Sequence, residues 1–320
     1  MDKNIVIIGG GTGTSTLLQG LKKYKVNLSV IVSTADDGGS TGKLRRELGV
    51  MPPGDIRQCL IALSNAPDKV KQMFNFRFAE GALTGHSAGN IILASLEKAT
   101  GSIEKAITII SKKLKVNGNI YPATLKPTTL TAILSNGKKI IGEHNIDEPR
   151  GNSEFRIQNL ELKPIGPVNP KAINAIKNAD MIVFGPGDLY TSTVPNLLVK
   201  GIKEAVNKSK AKKVFITNIM TKHGQTDGFT SADFVRELEK YLHGKITIAL
   251  INNKRPAAGF LASYKKEKAV FVEPEIGLKA IAEDLISKNI FKKPSGDKLK
   301  RSLVRHDSSK LAKIIWQLIN

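Results

Sequence analysis

The chain of 320 residues contains one cysteine, Cys59, so no internal disulfide can form and a disulfide-stapled scaffold is excluded. No apolar run approaches the roughly 20 residues of a membrane-spanning helix, and the run that follows Asn4 is too short for a secretory h-region. No membrane span and a cytoplasmic location are therefore expected. Aromatic residues make up only 5%, which leaves few stacking platforms for single-stranded nucleic acid. Acidic residues are also scarce, 28 against 49 basic, giving a formal charge of +21. Only 10 of those 49 are Arg, the residue favoured for base-edge recognition, and the 39 Lys are spread over the whole chain. No nucleic-acid partner is expected; the charge instead favours small anionic ligands. Five His and a single Cys, with no ligand-like spacing at His144, His223 or His243, argue against a structural zinc site.

What is present is an ordinary globular composition, 41% hydrophobic and 24% charged, in a length that can bury a large core. Residues 4–9, Asn-Ile-Val-Ile-Ile-Gly, read as a buried strand closed by glycine, and Leu17, Leu18 and Leu21 begin a helical period just beyond. Further strands are predicted over 28–34, 179–185, 214–218 and 246–251. Helices are predicted over 55–63, with Asp55 as N-cap, and over about 67–78, 90–99 and 102–114. This alternation predicts an α/β, Rossmann-like parallel sheet with helices on both faces. Residues 115–168 break the rhythm. Asn136-Gly137 between two β-like runs is a hairpin signal, so a β-rich insertion is expected there. One domain over 1–320 is predicted, ending in a basic helical segment over 288–320. Lys288 to Lys313 carries nine basic residues against two Asp.

Four loops carry candidate chemistry. Gly9-Gly10-Gly11-Thr12-Gly13-Thr14 joins a strand to a helix, so its amides and the helix N-terminus can hold an anion, naturally a phosphate. The dinucleotide pattern G-x-G-x-x-G fails at Thr14, although Asp36, 23 residues past Gly13, stands near a ribose-binding position and keeps a nicotinamide enzyme open. In the second loop, Ala35 to Gly42, Asp37 stands where a Walker A loop needs its first Gly, and Leu44 replaces its Ser/Thr, so a P-loop is rejected. Asp36 and Asp37 can bind Mg2+ or a sugar hydroxyl there, and Ser40, Thr41 and Lys43 can face phosphate.

The third loop, Gly85-His86-Ser87-Ala88-Gly89, fits G-x-S-x-G but lacks the preceding strand of a hydrolase elbow. It reads better as a helix N-terminus in which His86, Ser87 and Asn90 meet a ligand. The fourth, Gly185 to Ser192, lies at a strand end where open parallel sheets bind ligands, and Gly187, Asp188, Tyr190 and Thr191 are its candidates. Asn218, just past the 214–218 strand, is a weaker one.

Taken in order, Gly9 to Gly13, Thr34 to Gly42, Pro52-Pro53-Gly54-Asp55-Ile56-Arg57, Gly85 to Asn90 and Gly185 to Ser192 resemble the YvcK-type gluconeogenesis factors. These are relatives of CofD, the 2-phospho-L-lactate transferase of coenzyme F420 synthesis. The resemblance runs from residue 5 to about 316. It implies a Rossmann-like fold and a nucleotide-containing ligand. The Asp36-Asp37-Gly38-Gly39-Ser40 run and the segment with Asp55 and Arg57 place the resemblance on the regulator branch rather than the transferases. That branch implies binding of UDP-sugars such as UDP-N-acetylglucosamine, and a role in cell shape and envelope synthesis on gluconeogenic carbon sources. It also implies ligand roles for Tyr264, stacking on uracil, and Arg305, approaching the diphosphate; Ser308 stands where the pattern often has Thr. The alternative is a transferase in which Asp36 or Asp37 holds Mg2+. Nucleotide-binding α/β proteins are often dimers, so a homodimer is compatible with this reading.

Overall fold

In the first strand, β1 (Lys3–Ile8), Ile5 and Ile7 pack into one hydrophobic layer, and Val6 and Ile8 into another on the opposite face. The same split recurs in β2 (Val26–Val32), where Val30 and Val32 oppose Ile31, and in later strands where Met181 and Val183 oppose Ile182 and Phe184. A side-chain period of two with both faces apolar requires a sheet covered on both sides, and continuous β-branched runs are its signature.

A computed structural model describes residues 2–149, 155–275, 279–288 and 302–320. Its main sheet adds β3 (Asn119–Pro122), and a separate small sheet contains β4 (Thr129–Leu134), β5 (Lys139–Ile141) and β6 (Ile157–Lys163). The main sheet is completed by β7 (Met181–Phe184), β8 (Lys212–Ile216), β9 (Ile248–Asn252) and β10 (Ala280–Glu283). Its seven strands run in the order β10-β9-β8-β7-β1-β2-β3, all pairs parallel. The Rossmann-like α/β fold is thus established, with an antiparallel β5-β4-β6 sheet attached.

That small sheet falls within the stretch read as an insertion, and the Asn136-Gly137 turn joins β4 to β5, with the Gly137 N–H donating to the Leu134 carbonyl. The boundary shifts, because β3 belongs to the main sheet beside β2. Strand β10 went unforeseen: it is a four-residue edge strand, and its half-exposed residues weaken the apolar signal. Helix α1 (Gly11–Leu21) follows β1, and α2 (Gly39–Leu48) begins inside what reads as a polar loop. Gly38 is its N-cap, and the Gly42 N–H donates to the Gly38 carbonyl. Helix α3 (Pro53–Leu63) is capped by Pro52, with Asp55 in its first turn rather than at the cap. A proline fits N1 because its missing N–H would be unpaired there anyway, so the helix starts two residues earlier than the Asp suggests.

The C-terminal helix Ser308–Ile319 packs on α1, where a Cβ on Gly20 would collide with the Ser308 carbonyl. The basic stretch over 289–301 lies outside the described residues. No helix among the described residues is long and apolar enough to cross a membrane.

Candidate functional site

Strand order reverses at β1: β2 and β3 extend the sheet one way, and β7 to β10 the other. Such a switch point opens a crevice beyond the carboxyl ends of the strands. Here the loops after β1 and β7 meet. The Gly185 N–H donates to the Ile8 carbonyl at 3.0 Å, and Thr14 Oγ1 donates to the Pro186 carbonyl at 3.4 Å. A Cβ at Gly13 would overlap that same carbonyl, so only glycine lets the two loops close. Helix α1 has Gly10 at its N-cap with no side-chain cap, which leaves its first amides aimed into the crevice.

Several more segments complete a cavity of about 670 Å³. The loop before α2 and the N-terminal parts of α2 and α3 bring Asp36, Ser40, Thr41, Asp55 and Arg57 to its wall. Their contact is tight: a Cβ on Gly54 would lie 2.6 Å from Thr41 Oγ1 and 2.8 Å from Asp36 Oδ2. The short helix Glu143–Asp147 beside the small sheet supplies Glu143, His144 and Asp147. Residues beyond β8 and the segment 302–306 close the far side with Asn218, Lys222, His223, Tyr264, Arg305 and His306.

Of the residues singled out from sequence, Gly10, Gly11, Thr12, Gly13, Asp36, Ser40, Thr41, Asp55, Arg57, Asn90, Gly187, Asp188, Thr191, Asn218, Tyr264 and Arg305 line this one cavity. Five do not. Asp37 supports the neighbouring helix, its Oδ1 accepting from the His144 N–H at 2.8 Å. Lys43 is exposed on α2, outside the lining. His86 sits behind the wall, its Nδ1 3.1 Å from Ser40 Oγ, and Asn90 and Arg57 continue that chain. Ser87 caps the helix Ala88–Thr100, its Oγ accepting from the Asn90 N–H. Tyr190 is 1% exposed, in edge-to-face contact with Tyr241, because its turn of π-helix directs the ring into the core.

Tyr264 lines the cavity, and its hydroxyl accepts from the N–H groups of Leu303 and Val304 at 3.0 and 3.2 Å. It therefore clasps the segment that carries Arg305. Sequence reading missed Arg77, Glu143, Asp147, Lys222 and His306, and passed over His144 and His223 for want of spacing. None sits in a glycine-rich loop, and each reaches the site through folding of distant segments.

The site is electrostatically mixed. Lys222 Nζ donates to Asp188 Oδ2 at 2.7 Å and also to Asp147 Oδ1. Burial favours neutral Lys222, yet Asp188 and Asp147 outweigh it and raise its pKa. Burial likewise opposes ionisation of Asp147, but Lys222 and Thr191 hold it below the ordinary carboxylate range. Asp188 goes the other way, raised by burial despite the same ammonium, so the ion pair favours Asp147. Burial, with repulsion from Asp36, Asp147 and Asp55, lifts Glu143 well above its usual range. Burial also raises Asp36, although the Gly38 N–H and Thr41 hydroxyl bind it. Arg45 cannot reach a ligand easily, since its guanidinium donates to the carbonyls of Ala35, Asp36 and Thr128. Among the described residues no three carboxylate, imidazole or thiol groups converge to hold a metal ion. An Mg2+ ion here would need phosphate oxygens for most of its shell, and no step is assigned to one.

Fold and site together define a Rossmann-like α/β protein with a cavity of about 670 Å³ at the sheet switch point, lined by glycine loops and by carboxylate, hydroxyl and cationic side chains. The chain belongs to the CofD family: the family model described as 2-phospho-L-lactate transferase CofD matches residues 5–291. It is 42% identical to the gluconeogenesis factor of Bacillus subtilis over 320 residues, 98% of each chain. Identity to the gluconeogenesis factor of Halalkalibacterium halodurans is 41% over 319 residues, covering 98% of this chain and 96% of that one. A crystal structure of a UPF0052 family member from Bacillus halodurans superposes with a TM-score of 0.90 at 37% identity, covering 99% of both chains.

Proposed function

We propose that the cavity binds a nucleotide sugar of the UDP-N-acetylglucosamine kind, and that the protein is a cytoplasmic regulator linking gluconeogenic carbon metabolism to cell shape and envelope synthesis. The observation that carries this reading is the meeting of both glycine loops, the α2 and α3 N-termini and the 302–306 segment around one cavity. A volume of about 670 Å³ suits a ligand of nucleotide size. Diphosphate fits the uncapped amides of α1, sugar and ribose hydroxyls fit Asp36 and Asn90, and Arg305 can approach a phosphate. The names of the relatives support the metabolic part of the reading.

The second reading, a 2-phospho-L-lactate transferase-like activity, is supported by the family model and by the carboxylates Asp36, Asp55 and Glu143 in the wall. Titration calorimetry with UDP-N-acetylglucosamine and with GDP, followed by a turnover assay with a deazaflavin alcohol and an activated phospholactate donor, separates the two. Micromolar UDP-sugar binding without turnover is the expected result; metal-dependent product formation overturns the regulator reading.

A further inference from the structure

All strand pairs of the main sheet are parallel, so its seven strands start along one edge, opposite the edge where the cavity opens. Backbone bonds hold these starts side by side. The Asp180 N–H donates to the Asn4 carbonyl, Lys212 to Asp180, Thr247 to Lys213 and Ala249 to Lys279. A lysine stands at every start. Lys3 and Lys212 begin β1 and β8, and Lys25, Lys115, Lys177, Lys245 and Lys279 lie one to four residues before the other five strands.

The two edges of the sheet differ in charge. Over each strand's first residue and up to four residues before it, the starts hold eleven Lys, no Arg and two Asp, a formal +9. Over each strand's last residue and the four after it, the other edge holds two Lys and one Arg against three Asp and one Glu, a formal −1. The helices before β2, β3, β7, β8 and β9 end at the lysine edge, and at roughly −0.5 charge per C-terminus they answer only about 2.5 of its charges. Ion pairs answer few of the rest. Lys3 and Lys25 face Asp180 and Asp2 at 3.7 and 3.9 Å, and Lys245 pairs with Glu239 at 2.6 Å. Lys23, Lys177, Lys210 and Lys279 are exposed and make no ion pair among the described residues. Uncompensated charge of one sign repels itself, so an edge that keeps it is suited to an anionic partner.

The form of the edge selects that partner. Six strand spacings of about 4.8 Å give a band about 29 Å wide, which can meet a plane. Its cations are lysine heads, point charges on flexible stems, without the arginine forks that grip phosphate in a fixed geometry. Tyr24, between Lys23 and Lys25, is half-buried with its ring centroid 5.3 Å from that of Trp316, and offers no open face to a nucleobase. Mobile point charges match a fluid layer of anionic headgroups, where each basic residue near the surface adds to the attraction.

We propose that the lysine edge docks the protein peripherally on an anionic phospholipid surface, with the cavity at the opposite edge facing away from the bilayer and open to its ligand. The contact stays at the headgroups, since no helix among the described residues is long and apolar enough to cross. It does not depend on which ligand fills the cavity.

The test is co-sedimentation with vesicles of phosphatidylcholine alone and of about three parts phosphatidylcholine to one part phosphatidylglycerol, in about 0.1 M salt. The wild type is expected to partition onto the anionic vesicles at least about tenfold more strongly. Equal partition onto both overturns the proposal, and so does binding to duplex DNA that is as tight at the same phosphate concentration. The variant combining Lys23→Glu, Lys177→Glu, Lys210→Glu and Lys279→Glu is expected to lose at least about tenfold. Lys126→Glu, Lys138→Glu, Lys139→Glu and Lys200→Glu together change the net charge equally at exposed positions away from this edge, and are expected to lose less than about threefold. Equal losses in the two variants would assign the attraction to the whole molecule and overturn the docking edge. Hydrogen exchange on the wild type needs no variant to fold: anionic vesicles should slow the amides of residues 23–25 and 209–211 and leave those of 35–38 beside the cavity unchanged. The reverse pattern overturns the orientation.

Discussion

Lys222 Nζ lies 2.7 Å from Asp188 Oδ2 while also donating to Asp147, so one ammonium ties the loop after β7 to the helix beside the small sheet. Removing it leaves two carboxylates facing each other. Because these side chains keep about a third of their surface exposed, 31% for Lys222 and 36% for Asp188, the cost falls below that of a fully buried pair. Lys222→Met is expected to destabilise the protein by about 1–2 kcal/mol in urea unfolding at pH 7. Its raised pKa means that this contribution is present at neutral pH and lost only as the pH climbs past the ordinary lysine range. The depressed Asp147 withdraws its share as the pH falls below about 4.

Gly13→Ala drives a methyl group into the Pro186 carbonyl, a backbone atom that cannot move without shifting the loop after β7. A loss of about 1–3 kcal/mol in stability is expected, as for overpacking elsewhere, together with a marked fall in ligand affinity. Gly49→Ala is the control, because a Cβ there meets nothing within 4 Å. Its positive φ of +66° still costs something, but far from the cavity, so its ligand affinity should remain that of the wild type.

Tyr264→Phe keeps the ring and removes the acceptor of two N–H groups, at Leu303 and Val304. About 1–3 kcal/mol is expected to be lost locally. Hydrogen exchange at those two amides should accelerate, while amides in β1 and β7 keep their protection. Unchanged exchange at Leu303 and Val304 would show that the phenol does not clasp this segment.

His306 has its pKa lowered by burial from 6.5 to about 4. The unfolded chain therefore binds the proton first on acidification. Its stabilising contribution is complete above about pH 6.5 and declines as the pH falls to about 4, by up to about 1.4 kcal/mol per pH unit. Stability profiles of the wild type and His306→Phe should converge on acidification through this window; parallel profiles would refute the buried, neutral imidazole.

Much of the architecture can be read from local pattern. The alternation of β-branched runs with helical periods gives β1, β2, β7, β8 and β9 because a strand covered on both faces must be apolar at every position. Glycine-bearing loops are visible because close approach of two backbones tolerates no Cβ, as at Gly13 beside the Pro186 carbonyl. Tyr190 shows the limit of this logic. It stands in the right loop, but one turn of helix sends its ring into the core, and no loop composition records that direction.

The amino-acid order determined the strands, the glycine turns and the residues that could meet an anion, since each follows from periodicity or from backbone sterics over a few positions. Which of them share a cavity was decided in three dimensions. Glu143, Asp147, Lys222 and His306 come from the helix beside the small sheet, the loop past β8 and the 302–306 segment. Their charges and their burial are properties of distant segments brought within a few ångströms, and neither quantity exists until the chain has closed around them.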